Sequence, residues 1–222
     1  MPWEEFVKLV DQSLRPHVVQ NLRLEQFSLN CRHRLQEVAP HIDRWIDLVV
    51  KLNVRVLEIR SFDFRLYYSL PDAIYTAKEL TTLTLQEQLQ RLIHRCPFIK
   101  NLLLEDIQGI NKLHVYGLVH LEHLDVRSCK LISMTVQAPN LRRIDYHQED
   151  NLPCKMEIVD AYNTLETLKL EGSSITEQQF QDIFSKHSNI SELDLTRCYK
   201  LKKMEIASEK FKTLTLSELK NL

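Results

Sequence analysis

Glycine is scarce. Among 222 residues only Gly109, Gly117 and Gly172 occur. Loops that cradle phosphate and nucleophile elbows depend on glycine, because their backbone must approach a ligand closely or turn through positive φ. Those enzyme classes start at a disadvantage. Cysteine is present but not in pairs: Cys31, Cys96, Cys129, Cys154 and Cys198 are odd in number, lie far apart and form no Cys-x-x-Cys. A disulfide framework is not expected, and an intracellular setting in the cytoplasm, the nucleus or both is. No run of about 18 apolar residues exists, so no membrane span is expected. The N-terminus, MPWEEFVKLV, is acidic early and lacks the long apolar centre of a signal peptide. Lysine and arginine form no cluster, and the formal net charge is −1, so no nucleic-acid surface is expected.

What the chain does have is a repeated phrase, apolar-x-x-apolar-x-apolar. In LEHLDVRSCKLISMTVQAPNLRRIDY, residues 121–146, it occurs three times: Leu121, Leu124, Val126, then Leu131, Met134, Val136, then Leu141, Ile144, Tyr146. The phrase is the strand signature of a leucine-rich repeat, whose units run about 20–29 residues. Its clearest copies centre on Phe27, Leu57, Leu83, Leu102, Leu124, Ile144, Leu168, Leu193 and Leu214, at steps of 30, 26, 19, 22, 20, 24, 25 and 21 residues. Each step is one coil. Further copies centre on Leu113, Met134, Met156 and Met204, each about midway between two of the first series. Pro153 degrades the Met156 copy. The spacing predicts an α/β leucine-rich-repeat solenoid, a horseshoe of about nine coils. Its concave side is a parallel sheet, and its convex side mixes return strands with return helices. A single coil cannot bury its apolar face, so neighbours must stack on it.

The return helices are read from a period of 3.6. Residues 86–95, QEQLQRLIHR, put Leu89, Leu92 and Ile93 on one face and stop before Pro97. In ITEQQF, residues 175–180, Thr176 and Gln179 form a capping box, with Ile175 and Phe180 as a hydrophobic staple. Residues 41–50 gather Ile42, Trp45, Ile46 and Val49, and residues 3–14 gather Trp3, Phe6, Val7, Val10 and Leu14. Residues 1–20 are therefore read as an N-terminal linker or capping helix, and 21–222 as one solenoid. Both tryptophans read as packing residues, not as ligand platforms.

In the first series the residues between the apolar positions point outward, onto the concave face. Charge concentrates there in the middle coils. The candidate partner-binding residues are His123, Asp125, Arg127, Arg143, Asp145, His147, Lys169, Glu171, Glu192 and Asp194. A mixed-charge strand face of this kind sets specificity and on-rate for a protein partner. It is also what any solvated sheet face needs, with cross-strand ion pairs of small value.

Other constellations are weaker. Cys31-Arg32-His33 and His94-Arg95-Cys96 each offer two metal ligands, but neither has a second pair at finger spacing, so no metal site is expected. His123 and Asp125 share a face near His120, but no nucleophile is specified beside them, and neither catalysis nor a cofactor is expected. Cys129 and Cys198 both stand three residues past the third apolar position of their phrases, and read as buried structural thiols. Asn189-Ile190-Ser191 is a formal glycosylation sequon but falls within a predicted strand.

Three segments carry a family resemblance. FVKLVDQSL…NLRLEQFSLN (6–30), IDRWIDLVVKLNVRVLEI (42–59) and YYSLPDAIYTAKELTTLTL (67–85) resemble the plant F-box/leucine-rich-repeat proteins, and QAPNLRRIDY (137–146) is also typical of that group. The resemblance covers nearly the whole chain. It implies a non-enzymatic adaptor that holds a protein substrate on its concave face for ubiquitin-dependent degradation. The F-box of that family docks the linker subunit of a cullin-based ligase and should precede residue 6, where only five residues stand. The resemblance therefore carries over the substrate-holding role, and linker binding only with an F-box upstream. A fragment, a short gene product or a natural variant without the motif is expected, ending abruptly after the Leu214 strand. Alternatives are an interaction or decoy protein that binds the same partners without a ligase, or a repeat fragment of an intracellular immune receptor.

Overall fold

A computed structural model describes residues 2–31, 35–61, 71–86, 98–107, 111–148, 153–202 and 211–219. The expected helix at 86–95, apart from its first residue, and the expected strand centred on Met204 lie outside the described residues.

The chain folds as a parallel β-solenoid. Twelve strands and four helices are described among these residues: α1 Trp3–Val19, β1 Gln26–Cys31, α2 Leu35–Lys51, β2 Val56–Ser61, the single turn α3 Ala73–Thr76, β3 Thr82–Gln86, β4 Asn101–Glu105, β5 Lys112–Val115, β6 His123–Arg127, β7 Ser133–Gln137, β8 Arg143–His147, β9 Lys155–Val159, β10 Thr167–Glu171, α4 Glu177–Lys186, β11 Glu192–Thr196 and β12 Thr213–Ser217. Nine of the strands form one parallel sheet in the order β1-β2-β3-β4-β6-β8-β10-β11-β12. The remaining three form a second parallel sheet, β5-β7-β9.

The register is the one the repeated phrase dictates. Phe27, Leu57, Leu83, Leu102, Leu124, Ile144, Leu168, Leu193 and Leu214 are successive partners across the large sheet. Leu113, Met134 and Met156 are successive partners in the small one. Strand β9 forms despite the Pro153 that spoils its phrase, because the proline precedes the ladder and the pattern of Met156 and Ile158 still turns two side chains inward. Leu124, Val126, Met134, Val136, Ile144 and Tyr146 are all buried, at 1% exposure or less. Each such side chain contributes roughly 1.5–3 kcal/mol relative to exposure.

The period of the return segment follows its secondary structure. Strand β7 crosses the back of its coil in 5 residues, whereas helix α4 needs 10. At about 3.3 Å per residue for a strand and 1.5 Å for a helix, the two spans are nearly equal. Hence Leu124 to Ile144 closes in twenty residues and Leu168 to Leu193 in twenty-five.

Helix α4 starts as its sequence predicts. The Thr176 hydroxyl accepts from the Gln179 backbone and the Gln179 side chain accepts from the Thr176 backbone, with Ile175 and Phe180 both buried. At the other end, Ile42, Trp45, Ile46 and Val49 of α2 are fully buried. Helix α1, longer than the expected 3–14, packs on α2: Phe6 meets Trp45 edge-on at 6.0 Å, and Trp45 Nε1 donates to Asp11 at 2.7 Å. Both faces belong to the same core that runs through the solenoid.

Entry to a coil is tied by a polar side chain. Asn140 Nδ2 donates to the Val119 carbonyl at 2.6 Å, Thr164 Oγ1 to Pro139 at 3.0 Å, and Asn189 Nδ2 to Asn163 at 2.6 Å. Each reaches back to the same place in the preceding coil. Asn189 therefore sits in a turn ahead of β11 and not within a strand, which corrects the strand placement of the sequon.

Exit from a coil uses a left-handed residue. Asp106, Ser128, Gly172, Arg197 and Glu218 have φ between 51° and 63°, each at the second position after the last inward residue of its strand. The backbone N–H at this place donates to the carbonyl of the next strand, as in Ser128 to His147 and Gly172 to Thr196, both at 2.9 Å. The place requires glycine once. A Cβ on Gly172 would stand 1.7 Å from the Gln148 carbonyl oxygen.

Candidate functional site

The outward face of the middle strands is built by the alternation within each phrase. Asp125, Asp145, Lys169 and Asp194 are partners in one row across β6, β8, β10 and β11. Arg127, His147, Glu171 and Thr196 form the row on one side of it, and His123, Arg143, Thr167 and Glu192 the row on the other.

Charge is neutralised mainly within strands, not between them. Arg127 grips Asp125 with two bonds, Nε to Oδ1 at 2.9 Å and Nη2 to Oδ2 at 2.5 Å. Arg143 Nε donates to Asp145 Oδ2 at 2.8 Å. Side chains two residues apart on a strand share a face, so each arginine reaches the carboxylate of its own strand. Thr196 similarly donates to Asp194 at 2.9 Å. The Arg127 guanidinium is held protonated even more firmly than usual, chiefly by its hydrogen bonds to Asp125.

The Glu171 carboxylate is instead held across strands. His147 Nδ1 lies 2.7 Å from Glu171 Oε2, and Arg197 Nη2 binds the other oxygen of the same carboxylate. Partial burial pushes the Glu171 carboxyl up, but the bonds from His147 and Arg197 outweigh it and hold the group below its ordinary range. Arg197 occupies the left-handed exit position of its coil. Lys169 is different: among the described residues it has no hydrogen-bond or ion-pair partner, although Asp145 and Asp194 flank it in register.

These side chains surround a shallow depression of about 440 Å³. It gathers eight of the ten candidate residues, namely Asp125, Arg127, Arg143, Asp145, His147, Lys169, Glu171 and Asp194. His123 lies instead in an adjoining hollow of about 190 Å³, floored by Leu102, Leu103 and Leu124 and sharing Asp125, Arg143 and Asp145 with the first. Glu192 borders neither; its Oε2 accepts from Thr167 at 3.2 Å. Tyr146, Leu170 and Thr196 line the depression without having been among the candidates. Thr196 was legible as the continuation of the Arg127–His147–Glu171 row. Tyr146 is buried below, and its hydroxyl donates to Gln148 Oε1.

Among the described residues, the linings of the two hollows that hold His123 and His147 contain no serine or cysteine. The thiols of Cys129 and Cys198 lie inside, over the carbonyls of Leu104 at 3.7 Å and Leu170 at 3.3 Å, in corresponding places of their coils. Burial raises them to about 11 and about 12, which leaves both thiols protonated and inert. Among the described residues, no group of three or more His, Cys, Asp or Glu is placed to hold a metal ion. Nor is any described helix long and apolar enough to cross a membrane.

No protein-family model, no curated protein and no solved structure matches this chain.

Proposed function

We propose that this chain is a leucine-rich-repeat horseshoe of about nine coils that holds a protein partner on its charged concave face. On this reading it serves as the substrate-recognition region of a plant F-box/leucine-rich-repeat protein in ubiquitin-dependent degradation. One observation carries the reading: eight charged or titratable side chains predicted from the repeat phrase converge on one depression, in fixed positions. The in-strand pairs Arg127–Asp125 and Arg143–Asp145 hold their charges in place before a partner arrives, so little side-chain freedom remains to be lost on binding. Lys169 supplies a cation that has no partner among the described residues, for an acceptor on the partner. Such a surface favours selectivity over raw affinity, because a mismatched partner must strand one of these charges.

The test compares capture of partners from plant cell extract by the parent chain and by Asp125→Lys/Asp145→Lys/Asp194→Lys. A second variant, Thr135→Lys/Glu157→Lys, reverses the outward face of the small sheet. The partner retained by the parent and the second variant should be lost from the first. Equal capture by all three sinks the concave face as the site.

A further inference from the structure

One outward row of the large sheet runs Leu103, Asp125, Asp145, Lys169 and Asp194, across β4, β6, β8, β10 and β11. Two of its members differ from the rest. Asp125 and Asp145 are each answered by an arginine of their own strand, and Asp194 accepts from the Thr196 hydroxyl. Lys169 is left, among the described residues, with no hydrogen-bond or ion-pair partner. Leu103 is the apolar member of the row, only partly buried, on the floor of the smaller hollow. Asp125, Arg143 and Asp145 line both hollows, so one lane joins Leu103 to Lys169 at right angles to the strands. Three strand steps of about 4.8 Å put these two residues roughly 14 Å apart. An extended peptide advances about 3.3 Å per residue and turns alternate side chains to one face, so its residues i and i+4 lie about 13 Å apart on the same face. Spacings of three or five turn the two side chains to opposite faces. Lys169 carries a single charge between Asp145 and Asp194, its register partners on either side. That setting matches a carboxylate. A phosphate dianion would bring its second negative charge against the two aspartates.

We propose that the lane takes an extended segment of a partner protein, laid across the strands, in which a branched or aromatic apolar residue and a glutamate or aspartate stand four positions apart. The apolar side chain enters the smaller hollow over Leu103, and the carboxylate meets Lys169. The inference rests on the concave face being the partner site and adds what that partner must carry. The two contacts divide the work. Burial of the apolar side chain supplies affinity, and the carboxylate supplies selection, because a segment without it leaves Lys169 unanswered between two aspartates. The arginines beside the lane do not compete for that carboxylate, since Arg127 and Arg143 are already engaged by Asp125 and Asp145.

Fluorescence anisotropy with short labelled peptides, rich in serine and threonine, tests the pattern. Peptides with leucine and glutamate four positions apart should bind the parent chain in at least one of the two orders. Spacings of three or five should weaken binding about tenfold or more, and so should glutamine or phosphoserine in place of the glutamate. Lys169→Met should lose the preference for glutamate over glutamine but keep that for leucine over alanine. Leu103→Ser should do the reverse. A folding defect would remove both preferences together. Equal binding at all three spacings, tighter binding of the phosphoserine peptide, or no saturable binding up to about 1 mM each overturns the inference. Such a failure is distinguishable from failure of the concave face itself, which the capture experiment with the triple aspartate variant decides independently.

Discussion

Asp125 and Asp145 stand as direct partners on adjacent strands, and each is held by an arginine of its own strand. Like charges in this relation destabilise a sheet. The arginines are therefore what permits two carboxylates to share one row.

Removing one arginine should reveal that tension. Arg143→Ala is expected to lower stability by about 0.5–1 kcal/mol. Adding Asp145→Asn should restore most of the loss, although it removes a second charged group. Urea denaturation of the parent, the single and the double variant measures the cycle. A double variant weaker than the single would show that the two aspartates do not repel.

Gly172 should be the costliest small substitution in the chain. In Gly172→Ala the new Cβ would meet a backbone oxygen of the neighbouring coil at 1.7 Å, and φ is +63°. The coil at Gln148 must move away, at a cost of roughly 2–4 kcal/mol. The same change at Arg197, also left-handed, should fall under about 1 kcal/mol in thermal unfolding, since the backbone there already accommodates a side chain.

His187 should make stability depend on pH. Its ring is buried, stacks on Tyr162 at 5.6 Å, and lies with Nδ1 3.0 Å from the Ala161 carbonyl. The Nδ1–H tautomer satisfies that carbonyl, while the buried Nε2 makes no hydrogen bond among the described residues. Burial is the main reason its pKa falls below 6.5, and the neighbouring Lys186 adds to it against the opposing backbone bonds. The unfolded chain binds a proton near 6.5 and the native state resists doing so. The histidine's contribution is thus complete above about 6.5 and is lost as pH falls from there toward the lowered native value. The melting temperature should drop between about pH 7 and pH 5, and drop less in His187→Gln. Glu122 and Glu171, both below their ordinary value of 4.5, titrate beneath that window.

Cys129 and Cys198 should resist iodoacetamide in the native protein at about pH 8 and react fully in urea. Peptide mapping by mass spectrometry distinguishes them from the other cysteines. Alkylation of either at the unfolded rate would contradict the burial that raises their pKa values.

The register of both sheets was legible because one residue type at one spacing serves one purpose throughout: an apolar side chain at alternate positions must go inside. The return type was legible for the same reason, since 3.6 and 2 are distinguishable periods, as Thr176–Phe184 and Leu131–Val136 illustrate. What the residues around the site do was less legible. Arg127 and His147 occupy equivalent places in their phrases, yet one binds its own strand and the other its neighbour, because reach and charge of the particular side chains decide it. Arg197 escaped because it lies past the strand, where alternation no longer indicates direction; only the left-handed exit turns it back to Glu171. Glu192 was placed in its row correctly but is turned to Thr167, a local preference that spacing does not encode.

The small sheet β5-β7-β9 has a mechanical consequence. Strands stack about 4.8 Å apart, whereas packed helices need 8–10 Å. Between β4 and β10 the returns β5, β7 and β9 are strands, so front and back of these three coils can keep the same pitch. Where α2 and α4 stand behind the sheet, helix packing calls for a wider spacing at the back than strands do. The charged depression spans both kinds of coil: β6 and β8 return by strands, whereas β10 and β11 are joined through α4. Opening the stretch between β4 and β10 would require two hydrogen-bonded sheets to part together, which opposes local opening there.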